Sequence, residues 1–179
     1  MAINELVIPL EQPQTFSQGF AFAELHMPAV RRELGELPMK LFMDIEKAEA
    51  KQDMEEATDL ILSVSGGDIA VRIRRKKFWE RGVIYGLDFS VRAVCRGHLT
   101  EIDKLIDGFG DWYFYGYSSD DKGEIAEWWL LDLDKVRESG VLEDEQFPIN
   151  PNGDGTAGKY IPLDVLEDLG CVIAHKRKD

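Results

Sequence analysis

Apolar and polar positions change period twice along this chain. From Pro38 to Val64 the spacing is helical, with Leu41, Ile45 and Ala48 on one face and Ala57, Leu60 and Ile61 on another. Pro38 suits a first helical position, the charged run from Glu49 to Glu56 suggests a bend, and Gly66-Gly67 ends the element. The period then falls to two. Asp68-Ile-Ala-Val-Arg-Ile-Arg-Arg75 alternates as a half-buried strand does, and Gly82 to Val94 reads as a second strand with a bulge at Gly86. Thr100 to Gly108 is predicted as a short helix. Asp111–Ser119 and Ile125–Leu133 read as strands joined by a turn at Asp120-Asp-Lys-Gly123, and Asp134–Ser139 as a brief helix. After an Asn/Gly-rich acidic loop, the tail reads as strand 159–163, helix 164–170 and strand 171–174. Residues 1–37 read as an irregular lead-in, with a short strand at Val7, Ile8 and Leu10 and one helical turn from Pro28 to Leu34. The expected architecture is α/β (α+β): one domain over 38–179, its mixed central sheet flanked by helices.

Composition supports a packed core: 44% of the 179 residues are hydrophobic, among them nine Phe, five Tyr and four Trp. The net charge of −13 is unevenly distributed. Between Asp68 and His98 eight Lys/Arg oppose three acids, so this segment carries +5 and the remainder −18. A basic island on an acidic body argues against adhesion to nucleic acid over the whole surface but leaves one basic segment for it. No stretch approaches the ~20 apolar residues of a membrane helix, so no membrane partner is expected. The opening residues lack signal-peptide character, and Cys95 and Cys171 are far apart, so a reducing, cytoplasmic location is expected.

Two predicted strands carry nearly the same pentapeptide, Asp68-Ile-Ala-Val-Arg72 and Asp88-Phe-Ser-Val-Arg92. Alternation puts Asp68, Ala70 and Arg72 on one face, and Asp88, Ser90 and Arg92 on one face of the other. If the two strands pair antiparallel, acids of one meet arginines of the other. That arrangement is either a solvated charge ladder or a polar site with room for a ligand or metal beside the small Ala70 and Ser90.

The predicted order α-β-β-β-α-β, with an acid on one strand and a charged triplet on the next, resembles the restriction-endonuclease-like PD-(D/E)XK family over roughly 38–119. The resemblance implies that Asp68 and Asp88 bind Mg²⁺ or Mn²⁺. It also implies that Asp68, Asp88, Ser90 and Arg92 form the catalytic group. Ser90 stands where that family has an acid and Arg92 where it has a lysine, so Asp88 would supply the missing carboxylate, and Glu46 or Glu49 a further ligand.

Other patterns are bland. Asn150-Pro-Asn-Gly-Asp-Gly155 imitates half of a calcium loop, but Ile161 falls where a bidentate Glu belongs, so a plain turn is expected. Tyr113, Tyr115 and Tyr117 alternate with Trp112 and Phe114 and, with Trp128 and Trp129, read as core or a protein-binding patch. His26, His98 and His175 are too scattered for structural zinc. The functional expectation is a nuclease-like-fold protein that engages nucleic acid, or a nucleic-acid-processing protein. Its contacts would be Arg72, Arg74, Arg75, Lys76, Lys77 and Arg96, and metal-dependent phosphodiester hydrolysis is what the resemblance adds. The alternative is a noncatalytic acidic interaction module that mimics DNA or inhibits a DNA-binding protein.

Overall fold

Met27, Val30 and Leu34 recur at three- and four-residue spacing and are buried, which gives helix α1 (Phe16–Gly35) one apolar face. The computed structural model describes residues 16–37, 45–47, 60–62, 67–94, 99–120, 122–152 and 155–177. A proline reads as a helix start, so the sequence predicts only a turn from Pro28. Pro28 instead lies inside α1 on its exposed side, and residues 16–35 are helical rather than irregular.

The predicted 38–64 helix is also corrected where it is described. β1 (Ile45–Lys47) and β2 (Leu60–Leu62) are antiparallel strands, and β2 continues the ladder onto β3 (Gly67–Arg74). Strand pairing overrides the helical propensity of that composition. The rest of that stretch, Glu49 included, and the strand predicted near Val7 lie outside the described residues.

Beyond β3 the chain forms α2 (Lys76–Tyr85), β4 (Asp88–Val94) and α3 (Glu101–Ile106) before β5 (Trp112–Ser118) returns parallel to β3. β6 (Ile125–Asp132) pairs antiparallel with β5, and β9 (Val172–Lys176) with β6, giving the order β1-β2-β3-β5-β6-β9. α4 (Leu133–Glu138) follows β6, and α5 (Leu163–Asp168) leads into β9. A second sheet has the order β4-β8-β7, with β7 (Ile149–Pro151) and β8 (Ala157–Pro162). The class is mixed α/β with helices on a mixed sheet, as the sequence predicts.

Two local results matter for the site. First, the strand predicted from Gly82 is broken by α2, whose inward side is Phe78, Trp79 and the buried Gly82. Val83 and Ile84, the residues that suggested a strand, are 64% and 72% exposed. Gly86, predicted as a bulge, is the helix stop: its φ is +96° and its N–H donates to the Gly82 carbonyl at 2.7 Å. Second, α3 begins at a capping box in which Thr100 and Asp103 satisfy each other's backbone, which fixes Glu101 at the first helical position.

The large sheet is covered on both faces. Under α1 lie Ile69, Phe114, Trp128 and Leu130. On the opposite face Tyr113, Tyr115, Tyr117, Trp129 and Leu131 pack against Phe89 and Val91 of β4 and Ile161 of β8. The Phe89 ring meets Tyr113 and Tyr115 edge-on at 5.2 Å. The aromatic strand is therefore core, as expected. At the β5–β6 turn Gly123 has φ +99°, and a Cβ there would come within 2.5 Å of the Leu25 carbonyl oxygen of α1. Among the described residues no helix is long and apolar enough to cross a membrane.

Candidate functional site: an arginine-lined cleft between the sheets

Strand alternation sends Ala70, Arg72 and Arg74 of β3 toward the second sheet, in register beside Tyr113, Tyr115 and Tyr117 of β5. The tyrosine hydroxyls reach across and fasten β4. Tyr117 donates to the Asp88 carbonyl at 2.6 Å, and its oxygen accepts from the Asp88 N–H at 3.2 Å. The Tyr115 oxygen accepts from the Ser90 N–H at 3.1 Å and shares a 2.9 Å hydrogen bond with Ser90 Oγ. Burial pushes both phenols up, so they stay neutral and keep their protons.

The arginines complete the network. Arg72 donates to the Ser90 carbonyl at 2.9 Å and forms a 2.6 Å ion pair with Glu101. Glu101 also accepts from the Tyr113 hydroxyl and, at 2.9 Å, from the Arg92 N–H. Arg74 donates from Nη1 to Ser90 Oγ at 2.5 Å, and its guanidinium lies 4.0 Å from the Phe78 ring centre. Its buried Nε–H has no hydrogen-bond partner among the described residues.

Beside this network lies a cavity of about 400 Å³ lined by Arg74, Arg81, Asp88, Tyr117, Asn150 and Tyr160. A smaller one, about 100 Å³, adjoins it along Arg72, Arg74, Ser90, Arg92, Asn152 and Tyr160. Arg74 and Tyr160 line both, so the two form one cleft with four arginines from β3, α2 and β4. Tyr160 is held by a 2.6 Å hydrogen bond from its hydroxyl to Asn152 Oδ1. The Asp88 carboxylate makes no hydrogen bond or ion pair within 4 Å among the described residues. Burial raises its pKa, and the charges of Arg74 and Arg81 only partly oppose that rise.

The residues singled out in the sequence separate here. Asp88, Ser90, Arg92, Arg72 and Arg74 converge on the cleft. Asp68 does not line it; its N–H donates to Asp111 Oδ2 at 2.7 Å and its carbonyl accepts the Asp111 N–H at 3.0 Å. The predicted antiparallel hairpin between the two pentapeptides is absent, because β3 and β4 belong to different sheets with different partners. A ten-residue helix between them carries the chain from one layer to the other. The metal pair Asp68–Asp88 implied by the resemblance is therefore not assembled as adjacent strand neighbours. Among the described residues no group of three or more His, Cys, Asp or Glu side chains could hold a metal ion. Arg75 lies over the Phe22 ring of α1 at 4.6 Å, and Lys76 pairs with Glu80 at 3.4 Å along α2. Lys77 lies 5.2 Å from the Phe78 ring centre. Glu46 is placed only as backbone in β1, and Arg96 lies outside the described residues.

Sequence reasoning missed Glu101, Arg81, Tyr160 and Asn150. Arg81 stood in the basic island, and Asn150 opened the stretch read as a plain turn. Glu101 lies in the predicted 100–108 helix, but its two clients, Arg72 and Tyr113, come from other strands. A comparison with protein-family models and with curated proteins finds no match to this chain.

Proposed function

We propose that this protein binds single-stranded nucleic acid through the cleft between its two sheets, gripping the phosphodiester backbone with Arg74, Arg81, Arg72 and Arg92. The observation that carries the reading is that convergence: four guanidinium groups from three elements line one cleft on a chain whose net charge is −13. An acidic body repels nucleic acid everywhere else, so the cleft is where attraction is left to act. Arginine forks match phosphate oxygens, and Tyr160 beside them offers a ring face of the kind single-strand binders use. A duplex is too wide for a cavity of about 400 Å³, whereas one extended strand suits it. The placement of Asp68 outside the cleft favours binding over cleavage.

Fluorescence anisotropy of a labelled single-stranded oligonucleotide across a salt series tests this. Affinity should fall with salt at a logarithmic slope of about −0.7 per phosphate engaged. Arg81→Ala, a substitution at an exposed position, should weaken binding and reduce that slope by about one phosphate. Salt-independent binding, or an Arg81→Ala variant that binds like the parent, would refute the reading. Nicking in Mg²⁺ or Mn²⁺ that Asp68→Asn abolishes would replace it with catalysis.

A further inference from the structure

The larger cavity holds something the backbone grip does not use. Elsewhere among the described residues the buried or half-buried carboxylates are engaged. Glu33 binds Lys176 and Trp128, Glu101 binds Arg72 and Tyr113, Glu167 binds Arg177 and Trp129, and Glu127 binds Trp79. Asp88, by contrast, lines a cavity with its carboxylate in no hydrogen bond or close ion pair among the described residues, opposed only by the charges of Arg74 and Arg81. Its backbone is clamped on both sides by Tyr117, so the carboxyl position is fixed by the sheet-to-sheet contact. Arg81 lines the same cavity and likewise makes no ion pair within 4 Å among the described residues. A ligand that suits both must present N–H donors to the carboxylate and a negative or acceptor group to the guanidinium.

We infer that this cavity is a base-reading pocket for one unpaired guanine nucleotide. The carboxylate of Asp88 would accept from the guanine N1–H and N2–H₂ edge, and Arg74 and Arg81 would hold the attached phosphate. Guanine is the base whose Watson–Crick edge offers two adjacent donors, the pair a carboxylate accepts in a bidentate manner. Adenine and cytosine each offer one exocyclic amine beside an acceptor, and the acceptor would face a carboxylate oxygen. The cavity of about 400 Å³ falls within the ~300–1,000 Å³ of small-ligand pockets, and Phe78 and Tyr160 line it with aromatic surface for the base. Asn150 adds a side-chain amide on the β7 side.

This inference rests on the nucleic-acid reading above, and the experiment separates the two. Anisotropy is measured with an oligo-dT 12-mer and with the same strand carrying one central guanine, adenine or cytosine. Free GMP, AMP and CMP serve as competitors. The full-length protein should bind the guanine strand about tenfold more tightly than oligo-dT, the lower end of a good bidentate contact. GMP should compete better than the other nucleotides. Asp88→Asn should move the preference from guanine to adenine, which an amide side chain pairs with in a bidentate manner. Asp88→Ala should bind all four strands alike. Equal binding of all four strands by the parent protein overturns the pocket and leaves the backbone reading standing, as does an Asp88→Asn variant that keeps the guanine preference. If no strand binds at all, the backbone reading itself falls, and the pocket as stated falls with it.

Discussion

The two faces of the large sheet are built from alternate residues of the same strands, yet they are put to different uses. From β3, Ile69, Val71 and Ile73 face α1, while Ala70, Arg72 and Arg74 face the second sheet. The α1 face is closed by aliphatic and aromatic contacts, and its buried acid among the described residues, Glu33, is engaged by Lys176 and Trp128. Burial alone would raise the Glu33 pKa, but the bonds from Lys176 and Trp128 outweigh it and hold the pKa below the ordinary carboxylate range. The inter-sheet face has its own core, with Phe89, Val91 and Ile161 against the tyrosines, and its acids Glu101 and Glu127 are engaged by Arg72, Tyr113 and Trp79, but a third acid, Asp88, is left with a raised pKa. One face is arranged to be stable. The other accepts an unpaired charge and a cavity, a combination that recurs at binding sites and costs stability.

The largest expected effect breaks the closed face. Phe114 is fully buried and stacks on Trp128 with ring centres 5.3 Å apart. Phe114→Ala should cost about 3–5 kcal/mol in a denaturant melt. A loss under ~1 kcal/mol would mean that α1 does not seal the sheet.

A pH series sharpens the comparison, because the two acids carry opposite signs. Glu33 has a lowered folded pKa, so its contribution is present above the unfolded value of ~4 and is lost as pH falls through the folded value. Glu33→Gln should therefore cost about 1–3 kcal/mol at neutral pH, reduced by the exposure of Lys176, and converge with the parent in acid. Asp88 has a raised folded pKa, so its favourable contribution exists below ~4 and is lost as pH rises through the folded value. Asp88→Asn should stabilise the protein at neutral pH by about 0.5–1 kcal/mol, a rise of some 2–4 °C per kcal/mol in Tm, and converge with the parent below pH ~4. Thermal melts from pH 3 to 8 read both. An Asp88→Asn variant destabilised at neutral pH would show that the carboxylate is engaged after all.

The closed face was largely legible in the sequence, and the cleft was not. Alternation placed Ile69 and Val71 opposite Ala70 and Arg72, and the aromatic alternation of β5 identified core residues, because a two-residue period needs no knowledge of partners. Helix α2 was hidden because its apolar Val83 and Ile84 face solvent, while its inward side includes Gly82, which carries no hydrophobic signal. Missing α2 joined β3 to β4 as a hairpin, and that error produced the Asp68–Asp88 pair. Tyr160 joins Arg74, Arg81 and Asp88 in the cleft only because β8 pairs with β4 across some seventy intervening positions. Such a pairing leaves no trace in local spacing.

The smallest expected effect concerns the neighbours Arg74 and Arg75, which the sequence presents as equal members of one basic run. At the end of β3 they separate: Arg74 lines the cleft over Phe78, whereas Arg75 lies over Phe22 on the α1 side. Arg75→Ala removes a cation–π contact with Phe22, worth about 0.5–1 kcal/mol. Because Arg75 lines neither cavity of the cleft, oligonucleotide affinity should change less than about twofold at physiological salt. Arg74→Ala, by contrast, should weaken binding severalfold through the loss of the phosphate contact proposed for it and of its hold on Ser90. Comparing the two variants by anisotropy controls for net charge, since each removes one positive charge from adjacent positions. Equal losses would show that attraction is spread over the whole basic island, and unequal losses would locate it in the cleft.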